Sequence, residues 1–286
     1  MLALCVPAAL GSSVAGAAAT HHHGHHTGPV EVLYAGSLVT LMQTAVDAAF
    51  HKATGYSVTG ISGGSTALAQ EIKGGVHRAD VFISASPATD KVLEGGANGN
   101  WVRWYLTFAT STLLLGYNPK SPFVSTLKSE PWWKVVTTSG FRVGRTNPVT
   151  DPKGRLVVSA LKETAAKEHD PAVAALATKQ TTVFAETAMV GRLQAGQLDA
   201  GFFYAVEASA AHIPTVPLRG VTKHATYTIT VVGKAPHPAA ARAFVAWMVS
   251  PKAKALLAKD GLTELHPPKV TGKLRAMPPA LRKVTK

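Results

Sequence analysis

The sequence predicts an α/β protein whose strands are mostly parallel, and three observations carry that prediction. Short β-rich runs alternate along the 286 residues with stretches whose apolar positions recur at helical spacing. Glycines close several of those stretches. Hydrophobic residues make up 46 % and charged residues 16 %, with mean hydropathy +0.12. That balance excludes a disordered chain, which needs low hydrophobicity and high charge. It also excludes a coiled coil, which needs charged heptad flanks. At roughly 150 residues per domain, the length suits one or two domains.

Taken in order, Glu31–Ala35 reads as a short strand ended by Gly36-Ser37. Leu38, Leu41, Met42, Ala45, Val46, Ala49 and Phe50 then mark an amphipathic helix that stops before Gly55. Tyr56–Ile61 is the next strand, Ser62–Ser65 a turn, and Thr66–Lys73 a helix closed by Gly74-Gly75. Asp80–Ser84 is too short for a helical period and reads as a strand. Strands alternating with helices at this pitch indicate βαβ units. Further on, Thr112–Tyr117 is a buried-strand candidate, and Phe141–Arg145 a strand after Trp132-Trp133. Asp151-Pro152 opens a helix, with Asp as cap and Pro at the first helical position. Glu186–Leu193 is helical and stopped by Gly196, Gly201–Tyr204 and Tyr227–Val232 are strands, and Ala239–Met248 is a helix. The Lys252–Lys286 tail holds nine basic and two acidic residues with proline-rich segments, the composition of an arm lying on the surface.

Residues 1–30 contain no Lys, Arg, Asp or Glu. An apolar Met1–Leu10, a small-residue Gly11–Ala19 and the Ala17-Ala18-Ala19 site resemble the later parts of a secretory signal peptide. The basic front region is missing, which suggests a start further upstream. Cys5 follows Leu4, whereas a lipid-attachment cysteine follows a small residue, so lipid anchoring stays open. No later run reaches the ~18 uncharged apolar residues of a membrane span. The expected location is therefore periplasmic, secreted or at the cell surface. His21-His22-His23-Gly24-His25-His26 reads either as a weak chelator of Zn, Cu or Ni or as a linker or tag remnant. A single cysteine excludes an internal disulfide and a cysteine-based zinc site. The net charge of +13 invites a nucleic-acid partner. The basic residues are widely spread, however, and no finger or other recognised motif accompanies them, so none is expected. Anionic envelope polymers or solubility account for the charge instead.

Ligands of open α/β sheets bind beyond the carboxyl ends of the strands. Two such junctions share one character: Ala35-Gly36-Ser37-Leu38 and Ser62-Gly63-Gly64-Ser65-Thr66. Each sets glycine and a hydroxyl at a helix N-terminus, where free N–H groups and the helix dipole favour an anion. Either alone is an ordinary cap. Together, in adjacent βα units, they offer the converging donors that one oxyanion needs.

These junctions belong to a longer resemblance. Tyr34-Ala-Gly-Ser-Leu38, Gly63-Gly-Ser-Thr-Ala67, Ala79-Asp-Val-Phe-Ile-Ser-Ala85, Asn147-Pro-Val-Thr-Asp-Pro-Lys-Gly154 and Glu186 through Tyr204 follow one another over Val30 to Met248. In order and spacing they resemble the molybdate/tungstate-binding proteins of ABC importers, the archaeal type especially. The resemblance implies a two-lobed, type II periplasmic-binding-protein-like α/β fold with a ligand cleft between two mostly parallel sheets. Lobe 1 is expected over 29–111 plus 228–265, lobe 2 over 112–227, a leader and His-rich linker over 1–28, and a basic arm over 266–286. Crossing strands fall near Thr110–Leu115 and Ala225–Val231. By position, Gly36, Ser37, Gly64 and Ser65 would bind the anion from one lobe. Asp151 and Glu186 would face them from the other as carboxylate ligands of the molybdenum or tungsten, and Tyr204 would reach the anion. The implied partners are molybdate or tungstate and a membrane permease; the chain is expected to act as a monomer, without cofactor and without enzymatic activity. Two positions depart from the family: Arg155-Leu156 stands where Tyr-Arg is usual, and Ala200 where an aromatic is usual.

Paired carboxylates bear on which anion fits. Sulfate or phosphate facing them is repelled by ~4 kcal/mol per close unit pair at an effective dielectric near 20. Hexavalent molybdenum or tungsten accepts further hard oxygen ligands and converts repulsion into coordination. On the residues alone, Asp151 is equally an N-cap and Glu186 a first-turn carboxylate. Binding of sulfate, phosphate or ferric iron on the same fold is the alternative, Tyr204, Asp151 and Glu186 being reasonable iron ligands. A hydrolase with Ser37 or Ser65 as nucleophile and His77 or His212 as base is the enzymatic alternative, but no Gly-x-Ser-x-Gly elbow exists. Whether Arg145 faces a cleft or solvent is open from sequence.

Overall fold

The computed structural model describes residues 28–285; the leader, Cys5 and the histidine tract lie outside them. Ten strands pair into one sheet: β1 (Pro29–Ala35), β2 (Ser57–Gly63), β3 (Val81–Ser84), β4 (Trp104–Tyr117), β5 (Val143–Thr146), β6 (Val183–Phe184), β7 (Ala200–Tyr204), β8 (Thr215–Pro217), β9 (His224–Val231) and β10 (Thr263–Gly272). Their spatial order is β2-β1-β3-β9-β4-β7-β5-β6, with β8 and β10 added against β4. β1, β2 and β3 are mutually parallel at one end, and β7, β5 and β6 at the other. β3 and β7 are buried along their whole length, as expected of strands covered on both faces.

The two ends are joined by β4. Its Trp104–Thr112 part pairs with β9 and β10, and its Leu113–Tyr117 part with β7 and β8. β4 begins at Trp104, not at Thr112 as the sequence suggests; Trp104–Ser111 mixes polar and aromatic residues and lacks the continuous apolar run that marks Leu113–Leu115.

Most helices match their sequence signals. The segment Gly36–Thr54 is helical throughout, with a 3-10 start, a π-helical turn over Met42–Val46, and Gly55 in the left-handed conformation at its end. Leu38, Leu41, Met42, Val46 and Phe50 line its buried face, and Phe50 meets the Phe244 ring edge-on at 5.0 Å. Asp80 holds this half of the sheet together. Its carboxylate accepts from the Glu31 N–H (2.8 Å) and the His237 N–H (2.5 Å), anchoring β1 to the start of the Pro238–Met248 helix.

The C-terminal segment corrects an expectation. Residues 266–286 were read as a surface arm, yet β10 pairs antiparallel with β4, and Met277 and Leu281 are buried. The helix Pro251–Lys259 precedes it, capped by Ser250. Pro267-Pro268 hid the strand. The ladder skips from Glu264 to Lys269, so the prolines occupy an irregularity of an outer strand, where a missing N–H costs nothing.

Asp90 is fully buried. One carboxylate oxygen accepts from Thr228 Oγ1 at 2.6 Å, while the other has no partner. Burial raises its pKa to about 7, the Thr228 hydrogen bond only partly opposing it. Between the ordinary 3.8 and about 7, the folded state keeps a proton that the unfolded chain releases. Stability therefore falls as pH rises through that window. Asp90→Asn is expected to flatten the fall, measured as urea midpoint against pH.

Candidate functional site

The sheet order decides which residues meet. β1, β2 and β3 end at Ala35, Gly63 and Ser84, so the Gly36-Ser37 turn, the Gly64-Ser65 turn and Ala85 lie side by side beyond their carboxyl ends. At the other end of the sheet, β5, β6 and β7 lead into the Asp151, Glu186 and Tyr204 helix starts. The two groups face and touch one another. A Cβ built on Gly36 would fall 1.6 Å from Glu186 Oε2, and one on Gly64 would fall 2.5 Å from the Thr150 carbonyl and 3.2 Å from Asp151 Cβ. Glycine at these two positions is therefore a condition of the approach. The Ala67 N–H donates to the Thr150 carbonyl (3.1 Å) and Arg155 Nη1 to Thr66 Oγ1 (3.1 Å), spanning the same gap. Arg155, one of the two family departures, thus bridges at the rim. Ala200, the other, opens β7 at the end away from Tyr204.

Each serine has its own engagement. Ser37 Oγ lies 2.8 Å from the Tyr227 hydroxyl on β9. Ser65 Oγ accepts from the Ala85 N–H at 3.1 Å, which leaves its proton for a further acceptor. Neither bonds to histidine, and His77 sits 3.7 Å from Glu71. Arg145 is buried and donates to the carbonyls of Ala177 (3.0 Å) and Lys179 (3.3 Å), tying the 177–179 loop to β5.

Asp151 does cap its helix: Oδ1 accepts from the Lys153 N–H at 2.8 Å. Oδ2 closes no hydrogen bond of normal geometry, although the Thr146 hydroxyl lies near enough to favour the ionised form. Glu186 opens a 3-10 turn with Oε1 accepting from Lys153 Nζ (3.1 Å), while Oε2 is buried and unpartnered against Gly36. The Tyr204 hydroxyl is likewise buried without a partner, its ring 6.2 Å from that of Tyr227.

Three participants escaped the sequence reading: Lys153, Glu207 and Tyr227. Lys153 is fully buried and bridges Glu186 and Glu207, the latter at 2.7 Å. Its ammonium also lies 5.6 Å from the Phe203 ring centre and 5.7 Å from that of Tyr204. The signals were faint. Lys153 is the variable position of Asp-Pro-x-Gly, and Glu207 is a first-turn residue three places after Tyr204. Burial pushes the carboxyl pKa values of Asp151, Glu186 and Glu207 upward, and Lys153 pulls each back. Burial would discharge Lys153, but Glu207, Glu186 and Asp151 outweigh it and hold the ammonium charged. Burial likewise raises Tyr204 and Tyr227, which remain neutral donors.

Opposed to two helix N-termini carrying glycine and serine, then, stand two carboxylates with one open oxygen each. The donors suit a tetrahedral anion, and the hard oxygens suit a metal centre of high charge.

The chain is 28 % identical over 183 residues to a Haloferax volcanii protein named as an ABC transporter molybdenum-binding protein, covering 63 % of this chain and 56 % of that one. It is 22 % identical over 225 residues to a molybdate/tungstate-binding protein of Pyrococcus abyssi, covering 60 % and 65 %. The chain thus spans less than two thirds of the length of either relative. In fold it resembles the periplasmic molybdate-binding protein of Azotobacter vinelandii, with TM-score 0.64, 23 % identity, and 82 % of this chain and 98 % of that one covered. Residues 30–263 match the bacterial extracellular solute-binding proteins, and the chain belongs to that family.

Proposed function

We propose that this protein captures molybdate or tungstate outside the cytoplasm and delivers it to the permease of an ABC importer. The observation that carries the reading is the pair of buried carboxylates, Asp151 and Glu186, each with one oxygen unengaged and each set against an anion-binding glycine turn. The names of the Haloferax and Pyrococcus relatives support it. Among the described residues no helix is long and apolar enough to cross a membrane, in keeping with a protein that meets its permease as a separate partner.

In this reading the Gly36-Ser37 and Gly64-Ser65 turns donate to the anion's oxygens. Asp151 Oδ2 and Glu186 Oε2 enter the coordination shell of the metal, and the Tyr204 hydroxyl donates from the second half. A sulfur or phosphorus centre cannot accept those two oxygens and leaves the repulsion of ~4 kcal/mol per close pair uncompensated. The halves hinge about β4 and β9, and the anion favours closure to the extent that it binds the closed form better. The open form parts Ala67 from Thr150 and Arg155 from Thr66; the closed form docks on the permease. No covalent bond to the anion's oxygens is made or broken by a nucleophile, and the chain works as a monomer.

Thermal unfolding with each anion in turn tests this. At 100 times its dissociation constant, molybdate or tungstate adds about 2.7 kcal/mol of stability, while sulfate, phosphate and ferric citrate at equal concentration leave the midpoint nearly unmoved. Asp151→Ala and Glu186→Ala are expected to lose the discrimination against sulfate; if both keep it, the coordination argument is wrong. Gly36→Ala places a methyl group where Glu186 Oε2 sits and is expected to weaken molybdate binding by on the order of tenfold or more, measured by titration calorimetry.

A further inference from the structure

Among the described residues, Lys153 hydrogen-bonds to both carboxylates of the proposed site. Its backbone N–H engages Asp151 Oδ1 at 2.8 Å, and its ammonium engages Glu186 Oε1 at 3.1 Å. Each carboxylate is thereby held by one oxygen; the other is buried without a hydrogen bond of normal geometry, and that of Glu186 lies against Gly36. The ammonium's hydrogen bonds go to Glu186 and Glu207. Glu207, on the helix that follows β7, holds it from behind through the shorter bond of 2.7 Å, and the Phe203 and Tyr204 rings flank it. An ammonium free to reach an oxyanion would act as a plain positive charge and would welcome sulfate as readily as molybdate. Tethered by Glu207, it serves the carboxylates instead.

We infer that Lys153, held by Glu207, is a positioning residue that sets the selectivity of this site by presenting Glu186 with one oxygen free for a metal-centred oxyanion. The inference rests on the proposed capture of molybdate or tungstate and assigns to Lys153 and Glu207 a part that the ligand residues alone do not have. Groups that orient metal ligands from behind commonly contribute 10–100-fold to metal affinity.

The test compares the parent with Lys153→Met and with Lys153→Met/Glu207→Gln. The single change strands both the Glu186 and the Glu207 carboxylates, whereas the double change removes the Glu207 charge along with the ammonium at similar volume and leaves Glu186 alone without its cation. The urea midpoint of each variant checks that it is folded. Calorimetric titrations with sodium molybdate and sodium sulfate give the affinity ratio, and X-ray absorption at the molybdenum edge counts the oxygens around the bound metal. The expected result for the double variant is a molybdate-to-sulfate ratio at least tenfold below the parent's, with the oxygen shell reduced from six toward four. A merely structural role would weaken both anions together and leave the shell unchanged; that outcome overturns the inference. So does a double variant with parental ratio and shell. A parent that binds no molybdate overturns the function and this inference with it, and is told apart because the failure then lies in the parent titration itself.

Discussion

The site depends on one buried cation. Asp151, Glu186 and Glu207 converge in the buried interior, and Lys153 is the ammonium among them. Removing one member of a buried ionic group typically costs 3–5 kcal/mol, because the remaining charge is left unpaired. The arrangement is therefore all or nothing. Lys153 pulls down the carboxyl pKa values that burial raises, although burial prevails and keeps both above the ordinary carboxylate range. The same residue explains why Asp-Pro-Lys-Gly must fold as it does. Asp151 caps, Pro152 starts the helix, and a Cβ on Gly154 would fall 2.6 Å from the backbone of Thr146, Asn147 and Pro148. That close approach seats the first helical turn on the end of β5 and sends the Lys153 side chain inward.

Everything else brings partners to that cation. Because β1, β2 and β3 run parallel, their following turns cluster; because β5, β6 and β7 run parallel, so do theirs. Among the described residues, β4 and β9 lie between the two groups in the sheet and join them. A motion that opens the site must therefore bend or twist these strands, while the turns move with their own parallel units. The hydrogen bonds that span the gap include Ala67 to Thr150 and Arg155 to Thr66, and such bonds exchange readily for water.

The neighbouring chemistry was partly legible from residue order. Gly36, Ser37, Gly64, Ser65, Asp151, Glu186 and Tyr204 were all picked out, and the structure brings them to one place. Their engagements were less legible. Ser37 is bonded to Tyr227 on β9, 190 positions further along the chain, and Ser65 accepts from Ala85. β10 was hidden because two prolines break the pattern that announces a strand. Arg145, ambiguous in sequence, proved to be a fastener for the 177–179 loop.

What the sequence determined by itself was local: alternation of strand and helix, glycine at turns, Asp before Pro as a cap, and carboxylate, serine and tyrosine at strand ends. These follow from backbone sterics, capping and hydrophobic period, which act within a few residues. Only the tertiary structure decided that Lys153 would meet Glu186 and Glu207, 33 and 54 residues away. A lysine in sequence looks like a solvated surface charge. It becomes a buried counter-ion when strand order places two acids from different helices against it, and no local pattern encodes that convergence.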